Sequence, residues 1–162
     1  EFWTLFGKPH RENNLPAGIY MSGTQEWYFN GKLHRENDRP ARVTSVWSYW
    51  LTNGIHERLT CVHSKENPNC SCGDYLPASI SIDGTQCWCL NNKLHRTTRD
   101  EHGYTLPAII DTNGRKQWMQ NGLFHRDDVD INGKKLPAFI TSDGRMFYYE
   151  YGKQINQVHN LQ

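Results

Sequence analysis

The chain has 162 residues, a formal net charge of +1 and 36% hydrophobic residues, so a single domain is expected. This charge gives no global electrostatic reason to expect a nucleic-acid or membrane partner. No apolar run approaches the ~20 residues that a membrane-spanning helix needs, and the first residues carry no signal-peptide pattern. Aromatic side chains make up 12% of the chain, a content that suits a thin curved sheet covered with rings.

Several residue types recur in one register, and together they predict an internal repeat. A Pro-Ala pair is followed by an aromatic residue eleven positions later, or ten in the second full unit, and a glycine usually stands four positions before it. A turn residue follows four positions after the aromatic residue, and His-Arg comes three positions further on. The aromatic column consists of Trp3, Trp27, Trp50, Trp88, Trp118 and Tyr148.

The repeat divides one predicted domain, residues 1–162, into units and one insertion. The unit ranges are about 1–14, 15–38, 39–59, 76–98, 106–128 and 136–162, and the insertion is 60–75. The opening residues form the end of a unit, and the last unit keeps its turn but loses His-Arg, as a capping unit does. In the unit 39–59 the His-Arg pair is replaced by Ile55-His56-Glu57-Arg58.

Each unit is predicted to be a short antiparallel meander. Alternating apolar residues after Pro-Ala predict a half-buried strand, and Asx-Gly pairs such as Asp83-Gly84 predict a type I′ hairpin turn. The aromatic residue then lies on the inward face of the next strand, and Asn-Gly pairs such as Asn30-Gly31 turn the chain again. Variable polar loops, longest at 97–105 and 127–135 apart from the insertion, lead to the next proline.

The predicted fold class is all-β: an elongated single-sheet antiparallel β-hairpin repeat of about five units. No helical period of useful length occurs in the sequence. With ~4.8 Å between neighbouring strands, about ten strands extend over about 50 Å.

The pattern Asx-Gly-x-x-x-Trp-x-x-Asn-Gly-x-Leu-His-Arg with Pro-Ala resembles the MORN-type β-hairpin repeats. The residues that carry it are 27–35, 88–96 and 118–126. It is most similar to the His-Arg-containing repeats of large DNA viruses and bacteriophages and to antitoxin-like MORN repeats of bacteria. The resemblance implies a scaffold for protein–protein or membrane-proximal contacts, without a common catalytic activity.

The repeated His-Arg pairs allow two interpretations. A ladder of imidazoles and guanidiniums matches a polyanion such as nucleic acid or phosphorylated lipid headgroups. Alternatively, each arginine stacks on a tryptophan and each histidine bonds a backbone carbonyl at the turn, so that both have structural roles. The candidate residues are His34, Arg35, His95, Arg96, His125 and Arg126.

Two Cys-x-Cys pairs form a candidate metal site. Alternate strand residues share a face, so Cys70 with Cys72 and Cys87 with Cys89 could present four sulfurs to a structural zinc ion. A disulfide between the insertion and the sheet, or free thiols, agrees equally well with the sequence. No other cofactor is expected.

The sequence predicts no enzyme, because no nucleophile, phosphate-binding loop or metal-ligand spacing accompanies the histidines and carboxylates. The expected function is a non-catalytic interaction or assembly module, for example a viral or phage accessory protein. The expected partner is another protein or copies of this chain, and no small-molecule substrate is indicated. Candidate contact residues are the aromatic side chains Tyr20, Tyr28, Trp47, Tyr49 and Tyr104, with the long loops.

Two alternatives stay open. One is an antitoxin-like or immunity-like inhibitor of an enzyme, and the other is polyanion binding through His-Arg, with a membrane surface as a further candidate. The near-zero charge argues against nucleic acid. The sequence does not decide the compartment; virion and cytoplasm are the candidates.

Overall fold

A computed structural model describes residues 1–58 and 75–156 of the chain. In these residues the secondary structure consists of strands and turns, without a helix, so the all-β prediction is confirmed. The same residues contain no helix of the length and hydropathy that crossing a membrane requires.

The strands are short, mostly two or three residues each. They are β1 (Thr4–Leu5), β2 (Lys8–Pro9), β3 (Gly18–Ile19), β4 (Gln25–Glu26), β5 (Tyr28–Phe29), β6 (Lys32–Leu33), β7 (Arg42–Val43), β8 (Trp47–Tyr49), β9 (Leu51–Thr52), β10 (Ile55–His56), β11 (Ser79–Ser81), β12 (Gln86–Cys87), β13 (Cys89–Leu90), β14 (Lys93–Leu94), β15 (Ile109–Ile110), β16 (Lys116–Gln117), β17 (Met119–Gln120), β18 (Leu123–Phe124), β19 (Phe139–Ile140), β20 (Met146–Glu150) and β21 (Lys153–Ile155).

Eleven strands form one open antiparallel sheet, in the order β21-β20-β19-β16-β15-β12-β11-β8-β7-β4-β3. Each of the five predicted units from residue 15 onward contributes one hairpin to it, and β21 adds the last strand. Since consecutive hairpins lie side by side in chain order, the predicted elongated hairpin repeat is confirmed. Five further hairpins, one after each aromatic position up to Trp118, form separate two-stranded pairs.

These second hairpins are joined from unit to unit at their turns. The N–H of the turn glycine donates to the carbonyl oxygen just before the histidine position of the preceding unit. Gly31 N donates to Pro9 O at 3.0 Å, Gly54 N to Leu33 O at 2.7 Å and Gly122 N to Leu94 O at 2.8 Å. A second line of hydrogen bonds therefore runs along the molecule beside the main sheet.

The two Asx-Gly turns of a unit differ in type. At Asn30-Gly31 both residues have positive φ, 50° and 84°, as a type I′ turn requires. At Asp83-Gly84 only the glycine has positive φ, and its N–H donates to Ser81 O at 3.0 Å. The predicted type I′ turn is therefore wrong for the first hairpins, which use a type I turn followed by a left-handed glycine. Asp83 contributes instead through its side chain, which accepts the N–H of Thr85 at 3.0 Å.

The core consists mainly of two columns, alanine and tryptophan. The alanines of the Pro-Ala pairs are completely or almost completely buried, and Trp27, Trp88 and Trp118 are buried. The backbone N–H of each tryptophan donates to the alanine carbonyl oxygen of the next unit at 2.8 Å, as between Trp88 and Ala108. The small alanine side chain leaves room for the indole while this backbone hydrogen bond forms. The fully buried alanines are Ala17, Ala41, Ala108 and Ala138, with Ala78 at 1% exposure.

The loops 97–105 and 127–135 contain backbone pairing that the sequence analysis did not predict. Isolated bridges pair Arg99 with Thr105 and Val129 with Lys135, so each loop is a small third hairpin. Asp100 stabilises the first of them, since its Oδ1 accepts the backbone N–H groups of His102 and Tyr104 at 3.0 and 2.9 Å. Asp130 has the same role in the second.

Candidate functional site

The arginine of each unit stacks on the tryptophan of the same unit. The distance from the guanidinium carbon to the ring centroid is between 3.6 and 4.1 Å in all five cases. The predicted arginine–tryptophan stack is therefore confirmed, and such a contact stabilises by about 0.5–2 kcal/mol depending on burial. The pairs are Arg11 on Trp3, Arg35 on Trp27, Arg58 on Trp50, Arg96 on Trp88 and Arg126 on Trp118.

The same guanidiniums also fix the end of the following loop. Nη1 of Arg11 donates to the carbonyl oxygen of Pro16 at 3.0 Å, and Nη1 of Arg35 donates to Pro40 O at 3.3 Å. Arg58, Arg96 and Arg126 make the corresponding bond to the proline of the next Pro-Ala pair at 3.2–3.3 Å. Each arginine therefore connects the end of one unit to the start of the next.

The histidines have a structural role that differs from the predicted one. Their Nδ1 atom accepts a backbone N–H from the second-hairpin turn of the next unit, whereas the sequence predicted a bond to a carbonyl. We call these bonds the histidine rungs: His10 with Asn30 at 3.3 Å, His34 with Asn53 at 3.4 Å, His95 with Asn121 at 3.2 Å and His125 with Tyr151 at 3.2 Å.

The unit 39–59 keeps this arrangement with one replacement. Arg58 stacks on Trp50 at 4.1 Å and so occupies the arginine position of the repeat. Glu57 occupies the histidine position, and its Oε2 accepts the N–H of Asn91 at 3.3 Å. A carboxylate oxygen thus replaces an imidazole nitrogen as the acceptor. The adjacent His56 contacts the carbonyl oxygen of Ala78 through Nε2 at 3.2 Å.

The arginine and histidine of the unit 106–128 are the most enclosed. His125 is 1% exposed and stacks on Tyr151 with ring centroids 3.8 Å apart, and its Nε2 lies 3.0 Å from an oxygen of the Asp127 carboxylate. Arg126 pairs through Nε with buried Asp128 at 2.8 Å. Burial opposes ionisation of Asp128, but hydrogen bonds from Thr105 and Arg126 outweigh it and lower its pKa.

Burial also lowers the pKa of two histidines, His56 and His95, below the ordinary value of 6.5. The candidate residues His34, Arg35, His95, Arg96, His125 and Arg126 all lie in the contacts between consecutive units. Nδ1 of each of these histidines and Nη1 of each of these arginines is hydrogen-bonded to a backbone group there, which limits what they offer to a ligand. Polyanion binding through them stays a prediction.

Four of the predicted contact residues come together on one surface, which we call the aromatic patch. It comprises Tyr20, Tyr28, Trp47 and Tyr49, arranged around the cross-strand pair of Glu26 and Arg42. Glu26 is buried and accepts hydrogen bonds from the hydroxyls of Tyr20 at 2.7 Å and Tyr28 at 2.8 Å.

Arg42 connects the two halves of the patch. Its Nε lies 3.2 Å from Glu26 Oε1, and its guanidinium carbon lies 6.0 Å from the Tyr49 ring centroid. The Tyr49 ring in turn contacts the rings of Trp47 at 6.1 Å and His56 at 5.6 Å. Hydrogen bonding to Glu26 raises the pKa of Tyr20, and burial with the same carboxylate raises that of Tyr28, so both phenols keep their protons.

Tyr104, the remaining predicted contact residue, lies in the hairpin 97–105 and is not among these contacts. The sequence analysis missed Glu26 and Arg42. Glu26 lies two residues before Tyr28, a spacing that places both on one face of a strand, and this signal could have identified the buried carboxylate.

Cys87 and Cys89 are free thiols, and burial raises the pKa of Cys87 to about 11 and that of Cys89 to about 12. Cys70 and Cys72, the other half of the predicted zinc site, lie outside the described residues. Within the described ranges no group of three potential ligands occurs. The zinc site therefore stays a prediction.

A scan against models of protein families and searches of curated proteins and of solved structures found no match. The resemblance to MORN-type repeats thus depends on the sequence pattern alone.

Proposed function

We propose that the chain is a non-catalytic interaction or assembly module whose main contact surface is the aromatic patch. The observation that carries this proposal is the fixed arrangement of Tyr20 and Tyr28 on the buried Glu26 carboxylate. Tyrosine, tryptophan and arginine dominate binding hot spots in protein interfaces, and all three occur here in contact with one another. Rings that are already held in place lose less conformational entropy when a partner binds.

The roles of the other chemically active groups agree with a non-catalytic function. The histidines and arginines of the repeat form rungs and stacks between units, and Asp128 is occupied by Arg126 and Thr105. The MORN-type resemblance supports the same class of function. We therefore place the partner contact on the patch and assign the repeats the role of a rigid support.

Site-specific cross-linking tests this proposal. A photoreactive amino acid replaces Tyr20, which is 43% exposed, and in a control chain it replaces Ile131, which is exposed at the tip of the hairpin 127–135. We expect the patch position to cross-link one defined protein, or a second copy of the chain, that the control position does not capture.

The cross-linked partner is then purified and its affinity measured against patch variants. Trp47→Ala combined with Tyr49→Ala should weaken binding at least about tenfold, since truncating a hot-spot residue costs ~2 kcal/mol or more. Ile131→Ala should leave the affinity unchanged. Equal binding by the patch variant, with its thermal unfolding shown to be intact, would reject the patch as the contact surface.

A further inference from the structure

A second surface is formed by the residue that follows the turn of each second hairpin. Lysine occupies this position in four of the six units, and we call these residues the lysine column. All four lysine side chains are exposed. The column consists of Lys8, Lys32, Lys93 and Lys153, with Ile55 and Leu123 at the two remaining positions.

Three of the lysines and Leu123 lie against the turn of the next unit, which joins the column from unit to unit. A Cβ atom on Gly31 would stand 3.6 Å from the Cβ of Lys8, and one on Gly54 would stand 3.8 Å from the Cβ of Lys32. Lys93 has the same relation to Gly122, at 3.9 Å. The aliphatic parts of the lysine side chains thus cover successive turns, and their ammonium groups extend into solvent.

None of the four column lysines forms an ion pair within the described residues. The ion pairs there involve other cations, and Glu150, which faces Lys153 across the strand pair, lies 3.4 Å from Lys135. A chain of net charge +1 therefore concentrates positive charge along one line. This local excess does not appear in the overall composition.

Exposed apolar side chains lie directly beside the lysines. Lys8 is the cross-strand partner of Leu5, and Lys32 is the partner of Phe29, which is 50% exposed. Leu123, within the column itself, is also exposed. Charge and apolar surface therefore alternate along the same strip.

We propose that the lysine column binds an extended acidic segment of a partner protein in which acidic and apolar residues alternate. The acidic side chains complement the lysines, and the apolar residues cover Leu5, Phe29 and Leu123. One unit advances by two strands, about 10 Å, so the column extends over about 50 Å and accommodates about fifteen extended residues. This surface is separate from the aromatic patch and does not depend on it.

The test uses two labelled synthetic peptides and fluorescence anisotropy. The first peptide alternates glutamate with leucine or threonine, and the second replaces every glutamate with glutamine. Binding to the intact chain is compared with binding to Lys32→Glu combined with Lys93→Glu. The control combines Lys116→Glu with Lys134→Glu, which changes the net charge equally at two exposed lysines outside the column.

We expect the glutamate peptide to bind, the glutamine peptide to bind at least about tenfold more weakly, and added salt to weaken the binding. The column variant should lose at least about tenfold in affinity and the control less than about threefold. Lys32→Gln with Lys93→Gln should lose an intermediate amount, which guards against a folding defect in the charge-reversed chain.

Three results would overturn the proposal. Equal losses in the column and control variants would indicate unspecific charge attraction. Equal affinity for the two peptides would remove the role of the acidic groups. Tighter, column-dependent binding to phosphatidylserine vesicles than to the glutamate peptide would identify a lipid surface instead of a protein segment.

Discussion

The imidazoles of the histidine rungs can serve as acceptors only while Nδ1 carries no proton. An imidazole that accepts at Nδ1 holds its proton on Nε2, and a second proton would turn Nδ1 into a donor that faces the N–H of the next turn. The rung then becomes a repulsive contact between two donors. The contact that His95 makes between units should accordingly weaken in mild acid.

We predict that His95→Gln reduces the acid sensitivity of the fold. The pKa of His95 is lowered in the folded chain, so the unfolded chain binds more protons below pH 6.5. Its contribution to stability is complete above about pH 6.5 and declines as the pH falls toward the folded pKa. An amide oxygen can still accept the Asn121 N–H without titrating in this range.

Urea unfolding at several pH values between 5 and 8 measures this effect. The variant should lose about 1 kcal/mol or less at pH 8, and its stability should fall less than that of the wild type toward pH 5. His102→Gln is the control, because His102 is exposed and lies outside the rungs. An unchanged pH dependence in the His95 variant would show that its rung does not contribute.

The strands are connected by two kinds of turn, and the dipeptide Asn-Gly occurs in both. Asn-Gly in the second hairpins forms a type I′ turn, whereas Asx-Gly in the first hairpins places only glycine in the left-handed region. The sequence alone could not distinguish the two turn types, because they differ in which of the flanking residues form the strand pair. The glycine position of the second hairpin turn also accepts asparagine, since Asn92 has a φ of 65° there.

We predict that Gly122→Ala destabilises the fold by about 1–2 kcal/mol, because Gly122 has a φ of 82° and alanine is strained in that conformation. Gly122→Asn should cost less, since asparagine enters the left-handed region more readily. Chemical denaturation of both variants distinguishes strain from a steric effect. Equal losses would assign the cost to side-chain volume near Lys93, 3.9 Å away, instead of to the backbone.

The whole molecule is a line of units, each of which contacts its neighbours. The fold class followed from the spacing of Pro-Ala, tryptophan and glycine, because short-range turn chemistry determines such a repeat. The arginine stacks followed as well. The pairing of Glu26 with Arg42 did not, since it joins residues of adjacent units that share no repeated pattern.

The histidine position also shows where sequence spacing was insufficient. Glu57 takes the place of a histidine because both offer an acceptor to a backbone N–H, but the two residues look unrelated in the sequence. The lysine column was visible as Gly-Lys and Asn-Lys pairs. Its significance depends on the stacking of turns, which only the structure describes.

We predict that in Trp88→Ala the units before and after residue 88 unfold in separate steps. Removing this buried indole costs about 3–5 kcal/mol and also removes the surface on which Arg96 stacks. In a chain of nearest-neighbour contacts, such a loss at an internal unit uncouples the two sides.

Hydrogen exchange measured by mass spectrometry should then show different opening free energies for residues 15–58 and 106–156, whereas we expect the wild type to open both segments together. Trp3→Ala is the control, because Trp3 is only half-buried in the first unit. A single cooperative transition in the Trp88 variant would contradict this picture.

The bonds that close each unit have a practical consequence. After each His-Arg position the arginine bonds the proline carbonyl beyond the loop, and where a tryptophan follows, its indole N–H bonds the last loop residue, as when Trp118 donates to Thr105 O at 2.6 Å. Between the arginine and the last loop residue the chain places two residues in the early units, eight in the later ones, and sixteen between Arg58 and Tyr75. Foreign peptides could therefore be grafted at Gly103 or Gly133 for display, several at once and at a fixed mutual distance, without altering the register of the strands that carry them.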